Sequence, residues 1–329
     1  MTKRVTIEAL ADWLRDKEDV ILLGHESPDG DATGSTLAMW HALRAMGKRA
    51  VVGLPGGIPL LYAGLPGACE VRDPGAKLPF EPKTALALDV SELPRLGEAG
   101  IRRFEACPDR AALDHHHTNP GFGDVYFLDG NAAAAGELVV DLIDGLGVEL
   151  SQDMATCLFV AISTDCGHFN YSNTRAKTFE AAARCAAAGV DVAGITERLY
   201  RTRSAGRTKL LGMVLAALER SPDGLLAWSR ITEDMLKEAG ALREDKEGIV
   251  NYLQEIEGVR IAVLAEERGP ASTKFSLRTK APLNVARDVA VPLGGGGHDC
   301  AAGVTVDLPL EDALKKVLAL AREAITTES

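Results

Sequence analysis

The chain has 329 residues, 46% hydrophobic and 25% charged, with 33 glycines and 5% aromatics; that length holds two ordinary domains or one large one, and the composition is that of a soluble α/β protein rather than a disordered or fibrous one. A formal net charge of −11 argues against the broad basic face that grips long nucleic acid, so a phosphate ligand would be small and held by metals and a few local cations. No apolar run has the length of a membrane span, the first residues read as a charged helix rather than a signal peptide, and the six cysteines are scattered without a Cys-x-x-Cys pair. The expectation is a cytoplasmic protein without membrane contact, disulfide framework or zinc ribbon.

In chain order, short and nearly continuous apolar runs at 20–23, 49–54, 84–88, 111–113 and 125–128 predict strands buried on both faces, the mark of a mostly parallel sheet flanked by helices. Between the first two, Met39, Leu43 and Met46 fall at helical spacing and Gly47 supplies a stop, predicting a helix over 32–46 and hence a βαβ unit. Further helices are predicted at 133–146, 152–163, 174–188 and 192–200. The stretch 191–218, rich in arginine and threonine at its centre, reads as a linker. After the Ser221-Pro222-Asp223-Gly224 turn the pattern restarts: strand 225–231, helices 233–239 and 246–256, then strands 260–266 and 272–278 as an antiparallel hairpin. A helix at 284–289, the glycine run 294–297, a strand at 304–306 and a helix from residue 311 complete a smaller α+β domain. The expected partition is a catalytic domain at 1–190, a helical linker at 191–220 and a second domain at 221–329.

The residues that carry chemistry follow these strands. Gly24-His25-Glu26-Ser27-Pro28-Asp29-Gly30-Asp31 comes directly after strand 20–23, and the carboxyl ends of parallel strands are where α/β proteins place ligands. Pro28 and Gly30 favour a tight turn, so His25, Asp29 and Asp31 can converge on one centre. Asp89 ends the run 85–88, and Asp114 ends 111–113, followed by His115, His116 and His117. Asp165 follows the apolar stretch 157–162 and is read in the same kind of setting. Two unpaired carboxylates 4 Å apart repel by about 4 kcal/mol at an effective dielectric of 20, so such a cluster calls for cations. With Asp29, Asp31, Asp89 and Asp165 as ligands, four negative charges balance two divalent ions. Oxygen and imidazole donors without thiolate suit manganese, with magnesium or another divalent ion as alternatives, and such a pair of ions serves phosphoester hydrolysis.

These motifs, in this order, resemble the DHH phosphoesterase family, through His25-x-x-x-Asp29-x-Asp31, Asp89, Asp114-His115-His116 and Asp165. The segment Gly294-Gly295-Gly296-Gly297-His298 with Ala301-Ala302-Gly303 resembles the DHH-associated substrate domain. Segment 165–174 is similar to the subgroup of nano-RNases that also dephosphorylate adenosine 3',5'-bisphosphate. The resemblance implies that His25 and Asp29 hold one metal, that Asp31, His115 and Asp165 hold the second, and that Asp89 bridges them. It implies that His116 faces the scissile phosphate with Asp114 behind it, and that Arg278, Gly295, Gly296, Gly297 and His298 bind substrate phosphate. His117 lengthens the pair of histidines to three, and the two directly after Asp114 are taken as functional. Cys166 reads as a small packing residue, His41 as a packing or surface residue, and His168 as either a substrate contact or a packing residue.

The function so implied is in-line attack by a metal-bridging hydroxide on a phosphate bound between two domains, releasing mononucleotides from short RNA and the 3'-phosphate of adenosine bisphosphate. Hydrolysis of linear or cyclic dinucleotides is the nearest alternative. A non-catalytic nucleotide-binding protein is the alternative of another class, set back by the presence of every expected ligand. Processive DNA degradation fits poorly with the acidic total, and pyrophosphatase or exopolyphosphatase activity with the type of second domain. Expected partners are short RNA or a small phosphorylated nucleotide, not long duplex; a homodimer is compatible with the sequence.

Overall fold

The computed structural model describes residues 2–327, apart from the side chain of His298. The chain forms two compact units, Met1–Arg201 and Thr202–Ser329.

The first unit is built on seven strands, β1 (Lys3–Arg4), β2 (Val20–Leu23), β3 (Ala50–Gly53), β4 (Val71–Arg72), β5 (Thr84–Leu88), β6 (Asp109–Asp114) and β7 (Val125–Leu128), in the order β1-β7-β6-β5-β2-β3-β4. Every pairing is parallel. The apolar runs are continuous because both faces are covered. Leu22, Val52, Leu86 and Leu113 join one core, and their neighbours Ile21, Val51, Ala85 and Ala112 join the other. The first core includes residues of α1 (Ile7–Arg15), α2 (Gly30–Ala45), α4 (Ala135–Gly145) and α5 (Gln152–Asp165), whereas the second is closed by α3 (Gly97–Ala106) and its flanking loops. α2 is wedged against α5 with almost no room to spare. A Cβ on Gly34 would lie 2.3 Å from the Cys157 carbonyl oxygen, and one on Gly30 would overlap the Thr164 side chain. Glycine is therefore imposed here by close approach, not by backbone conformation.

The predicted α/β class and the five predicted strands of this unit are present with small shifts of boundary. β1, β4 and α3 escape the apolar pattern: the two strands are two residues long, and α3 is largely charged, with only Gly97, Gly100 and Phe104 buried. α6 (Ala176–Ala187) follows as expected. The expected helix at 192–200 is α7 (Val192–Thr196) running into a wide turn at Glu197–Arg201 with i→i+5 bonding, and Tyr200 in that turn lies 2.9 Å from Ser163 Oγ. Among the described residues no helix is long and apolar enough to cross a membrane.

The second unit begins with α8 (Ala205–Ala216) and carries a six-stranded mixed sheet, β8 (Glu219–Arg220), β9 (Leu226–Ile231), β10 (Ile261–Gly269), β11 (Ser272–Thr279), β12 (Gly296–His298) and β13 (Ala301–Val306), in the order β12-β13-β11-β10-β9-β8. β10 and β11 form the predicted hairpin. One face packs on α11 (Leu310–Thr327), the other on α8, α9 (Glu233–Ala239) and α10 (Ile249–Gln254). The helix expected at 246–256 is cut to α10 because Gly248 at its N-cap is left-handed, φ 75°. The expected 284–289 helix is a wide turn at Ala286–Ala290.

Candidate active site

The chain leaves β2 for β3 on one side of the sheet and returns to β5 on the other, so the strand order reverses between β2 and β5. The carboxyl ends of the strands at such a reversal diverge and open a crevice. Here β2 runs into His25, β5 ends beside Asp89, and the next strand, β6, ends in Asp114. Asp89 has φ 58°, a left-handed conformation that costs a non-glycine residue free energy and is tolerated where the surroundings enforce it. Its amide donates to the Leu113 carbonyl at 3.1 Å, tying the end of β5 to β6.

The acidic turn after β2 divides between two centres. Asp29 is the N-cap of α2: its Oδ1 accepts from the amides of Asp31 and Ala32, both at 3.0 Å. His25 Nε2 lies 3.7 Å from Asp29 Oδ1 and 3.6 Å from Asp89 Oδ2. Asp31, inside the helix, points elsewhere and is fully buried. Its oxygens accept from Ser35 Oγ at 2.9 Å, the Gly136 amide at 2.9 Å and the Ala135 amide at 2.5 Å. The last two are the free N–H groups of the first turn of α4, which favour an anion through the helix dipole. His115 Nε2 then lies 3.7 Å from Asp31, 3.4 Å from Asp89 Oδ1 and 3.4 Å from Asp165 Oδ2. The turn thus does not converge on one centre. His25, Asp29 and Asp89 form one group, and Asp31, His115 and Asp165 another, with one oxygen of Asp89 facing each imidazole. Asp165 arrives from the last residue of helix α5 and not from a strand end.

The protonation states reflect this crowding. Burial opposes a charge on His25, but Asp29 and Asp89 outweigh it and push the imidazole up to about 10. His115 follows the same balance, against Asp89, Asp31 and Asp165, and is pushed up to about 11. Burial, then the charges of Asp89 and Asp165, hold the Asp31 carboxyl well above its usual range. Burial opposes ionisation of Asp89, yet His115 and His25 hold it below the usual range. Asp165 is pushed up to about 7, chiefly by burial. Without metal, protons on the imidazoles carry the positive charge that the carboxylates require.

His116 is oriented by Asp114, whose Oδ1 lies 2.8 Å from its Nδ1. Burial works against protonating this imidazole, and the Asp114 carboxylate more than offsets it, so its pKa is raised. The other oxygen, Asp114 Oδ2, accepts from Asn119 Nδ2 at 2.6 Å; the same amide donates to the Val90 carbonyl at 3.0 Å, and Asn119 Oδ1 accepts from the Gly121 amide at 2.7 Å. His117 turns away: it is exposed, with its ring against Gly130. Cys166 is fully buried, its Sγ 3.2 Å from the Phe169 amide, and belongs to neither group. The His168 Nδ1 lies 3.0 Å from Ser163 Oγ and its ring 4.6 Å from that of Tyr200. His41 stacks edge-on with Trp40 at 4.8 Å.

In the second unit, Arg278 is half-buried on β11, with Nη1 donating to the Leu277 carbonyl at 2.9 Å. The glycine run is an edge strand, β12, not a free loop: Gly296, Gly297 and His298 pair with Gly303, Ala302 and Ala301 of β13. A Cβ on Gly295 would lie 2.4 Å from the Gly303 carbonyl oxygen, and Gly297 has φ 145°. The His298 side chain lies outside the described residues.

The DHH family N-terminal domain matches residues 19–162, and the DHHA1 domain matches residues 231–327. The chain is 37% identical over 309 residues to the bifunctional oligoribonuclease and PAP phosphatase NrnA of Thermus thermophilus, covering 93% of this chain and 90% of that one. The chain belongs to the DHH family. It is also 24% identical to the cyclic-di-AMP phosphodiesterase GdpP of Geobacillus thermodenitrificans, which covers 90% of this chain but 46% of that protein. An exopolyphosphatase-related protein of Bacteroides fragilis shares its fold, with a TM-score of 0.89 at 25% identity over 98% of this chain and 97% of that one.

For a DHH chain the donor set fits divalent cations on two counts. The two groups offer carboxylate oxygens and imidazole nitrogens with no thiolate, a set suited to divalent cations. Asp89 Oδ1 is buried without a hydrogen bond, with the ring nitrogens of His115 and His116 at 3.4 and 3.7 Å, and a buried carboxylate oxygen so placed calls for a cation, imidazolium or metal, beside it. Sequence reasoning missed the supports of this set: Asn119, Ser35 and the amides of Ala135 and Gly136. The amides carry no side-chain signal. Asn119, five residues after Asp114, reads locally as the turn residue that it also is.

Proposed function

We propose that this DHH chain hydrolyses short single-stranded oligoribonucleotides to mononucleotides and removes the 3'-phosphate of adenosine 3',5'-bisphosphate. The carrying observation is Asp89: one buried, strained residue presents Oδ2 to His25 and the unpartnered Oδ1 to His115. That arrangement supports a bridging role between two cations, one held by His25, Asp29 and Asp89, the other by Asp89, Asp31, His115 and Asp165. Such cations, manganese in this reading, supply Lewis acidity to the phosphoryl centre and lower the pKa of water to make a nucleophile.

The remaining work falls to the chain. Asp114 holds the Nδ1 edge of His116, which leaves Nε2 free to donate to a phosphoryl oxygen, and the raised pKa favours the protonated, donating form. Nε2 of His25 is turned toward the carboxylates, while Nδ1 meets the Glu26 carbonyl at 2.8 Å and Arg95 Nη2 at 3.3 Å, contacts that fix the orientation of the ring. Arg278 and the backbone of Gly295, Gly296 and Gly297, with His298, are proposed to hold substrate phosphate.

The test is a parallel assay with manganese on a five-residue RNA, a dinucleotide, a cyclic dinucleotide and adenosine 3',5'-bisphosphate. Turnover of the RNA and the bisphosphate is expected, with Asp89→Asn at least a thousandfold slower on both, the order expected when a metal-dependent step is lost. Preference for the cyclic dinucleotide would transfer the reading to signal hydrolysis. Near-normal turnover by Asp89→Asn would sink the two-cation mechanism.

A further inference from the structure

β11 carries an alternation that the hairpin alone does not require. Thr273, Phe275, Leu277 and Thr279 are buried, while Ser272, Lys274, Ser276 and Arg278 stay half-exposed on the opposite face. The register places small residues beside the latter set on the β13 side, and Ala262, Leu264 and Glu266 on the β10 side. Arg278 lies between Ala262 and Ala301, Ser276 opposite Gly303, and Lys274 opposite Thr305. Gly303 in turn pairs with Gly296 at the sheet edge, and both Gly296 and Thr305 are exposed. The result is a row of a guanidinium, a hydroxyl and an ammonium along one strand, open on the β13 side, where alanine, glycine and threonine border it, and bounded on the β10 side by Ala262 and Leu264, which belong to the core under α8, α9 and α10.

The charge along this row is not cancelled. Glu266, the cross-strand neighbour of Lys274, is already engaged by Arg243 at 3.1 Å, by Arg268 at 3.0 Å and by Lys246. Among the described residues Lys274 and Arg278 have no carboxylate within ion-pair distance. In a chain of net charge −11, an uncompensated cationic row on a half-open sheet face fits a polyanion. Alternate residues on one face of a strand are about 6.6 Å apart, so Lys274 stands about 13 Å along β11 from Arg278. A ligand with a single nucleoside does not extend over that span, whereas a chain of several nucleotides does.

We infer that Lys274, with Ser276, is a length-reading subsite: it holds a backbone phosphate of an oligoribonucleotide remote from the phosphate at Arg278, and thereby favours oligonucleotides over adenosine bisphosphate. This rests on the proposed hydrolysis of short RNA. The experiment compares wild type, Lys274→Gln and Lys274→Arg on adenosine 3',5'-bisphosphate and on RNA of two, three and five residues with manganese. Binding of the fluorescent five-residue RNA is followed by anisotropy in EDTA over a range of salt. For Lys274→Gln the ratio of kcat/KM for the five-residue RNA to that for the bisphosphate is expected to fall about five- to tenfold, with the loss growing with length and the arginine variant restoring it. The slope of log affinity against log salt should flatten by about 0.7, the value for neutralising one phosphate fewer on a single strand. An equal loss on every substrate, or an unchanged salt slope, overturns the subsite. Wild type that binds the RNA with the Lys274 salt signature but hydrolyses neither substrate would overturn the hydrolytic reading while supporting the subsite.

Discussion

Asn119→Ala tests whether the support beneath His116 matters to chemistry. Asn119 is 8% exposed and Asp114 1%, so the 2.6 Å bond between them is shielded from solvent, and the substitution leaves a buried carboxylate oxygen without its donor. A hydrogen bond to a charged group contributes about 1.5–3 kcal/mol. The Val90 carbonyl and the Gly121 amide also lose partners, so stability is expected to fall by about 3 kcal/mol in urea titration. The catalytic consequence is separate. With Asp114 released, the Nδ1 edge of His116 is no longer held, and a donor aimed at the phosphoryl oxygens loses its aim. The loss is expected in kcat, about ten- to hundredfold, with KM within about threefold, measured where the variant is still folded. Asn119→Asp preserves the volume and the Gly121 contact but sets a second carboxylate on Asp114, so it should do no better than alanine. A variant that loses the expected stability but keeps its kcat would show that Asn119 serves the turn alone.

Two further outcomes follow from the same geometry. His25, His115 and His116 all have raised pKa values in the metal-free chain, the first two to about 10 and about 11. The folded state therefore binds more protons than the unfolded one above the unfolded value near 6.5, and stability declines as pH rises. That contribution is complete below about pH 6.5 and lost as pH climbs through about 10 to 11, so the Tm in EDTA should drop steadily between pH 6.5 and 10; a flat or rising Tm would contradict the imidazolium reading. His117→Ala, which removes the exposed ring on Gly130, should leave kcat within about twofold of wild type. A hundredfold loss would mean that the third histidine, not His115 or His116, serves the site.

Much of the first unit was legible because its sheet is buried on both faces, so that each strand is an uninterrupted apolar run and the acid or imidazole after it stands out. The Asp-His-His order and the turn at 24–31 were likewise visible as local motifs. The segments that escaped the pattern are those whose structure depends on distant partners or on a special backbone conformation: β1 and β4 exist only by pairing, and the expected helix at 246–256 is shortened by a glycine that must turn left-handed.

What the residues alone determined was the inventory: four carboxylates and two imidazoles, Asp29, Asp31, Asp89, Asp165, His25 and His115, and a charge balance that asks for cations. Which of them meet was decided by tertiary structure. Asp29 and Asp31 are two positions apart, yet the start of α2 turns one toward His25 and the other onto the amides of α4, because a helix of 3.6 residues per turn sends close neighbours in different directions. Asp165 joins from a helix end only because glycines at 30 and 34 let α5 press against α2. The reversal of strand order between β2 and β5 then sets Asp89 between the two groups, a placement that no local pattern encodes, since it depends on where the chain returns after β4.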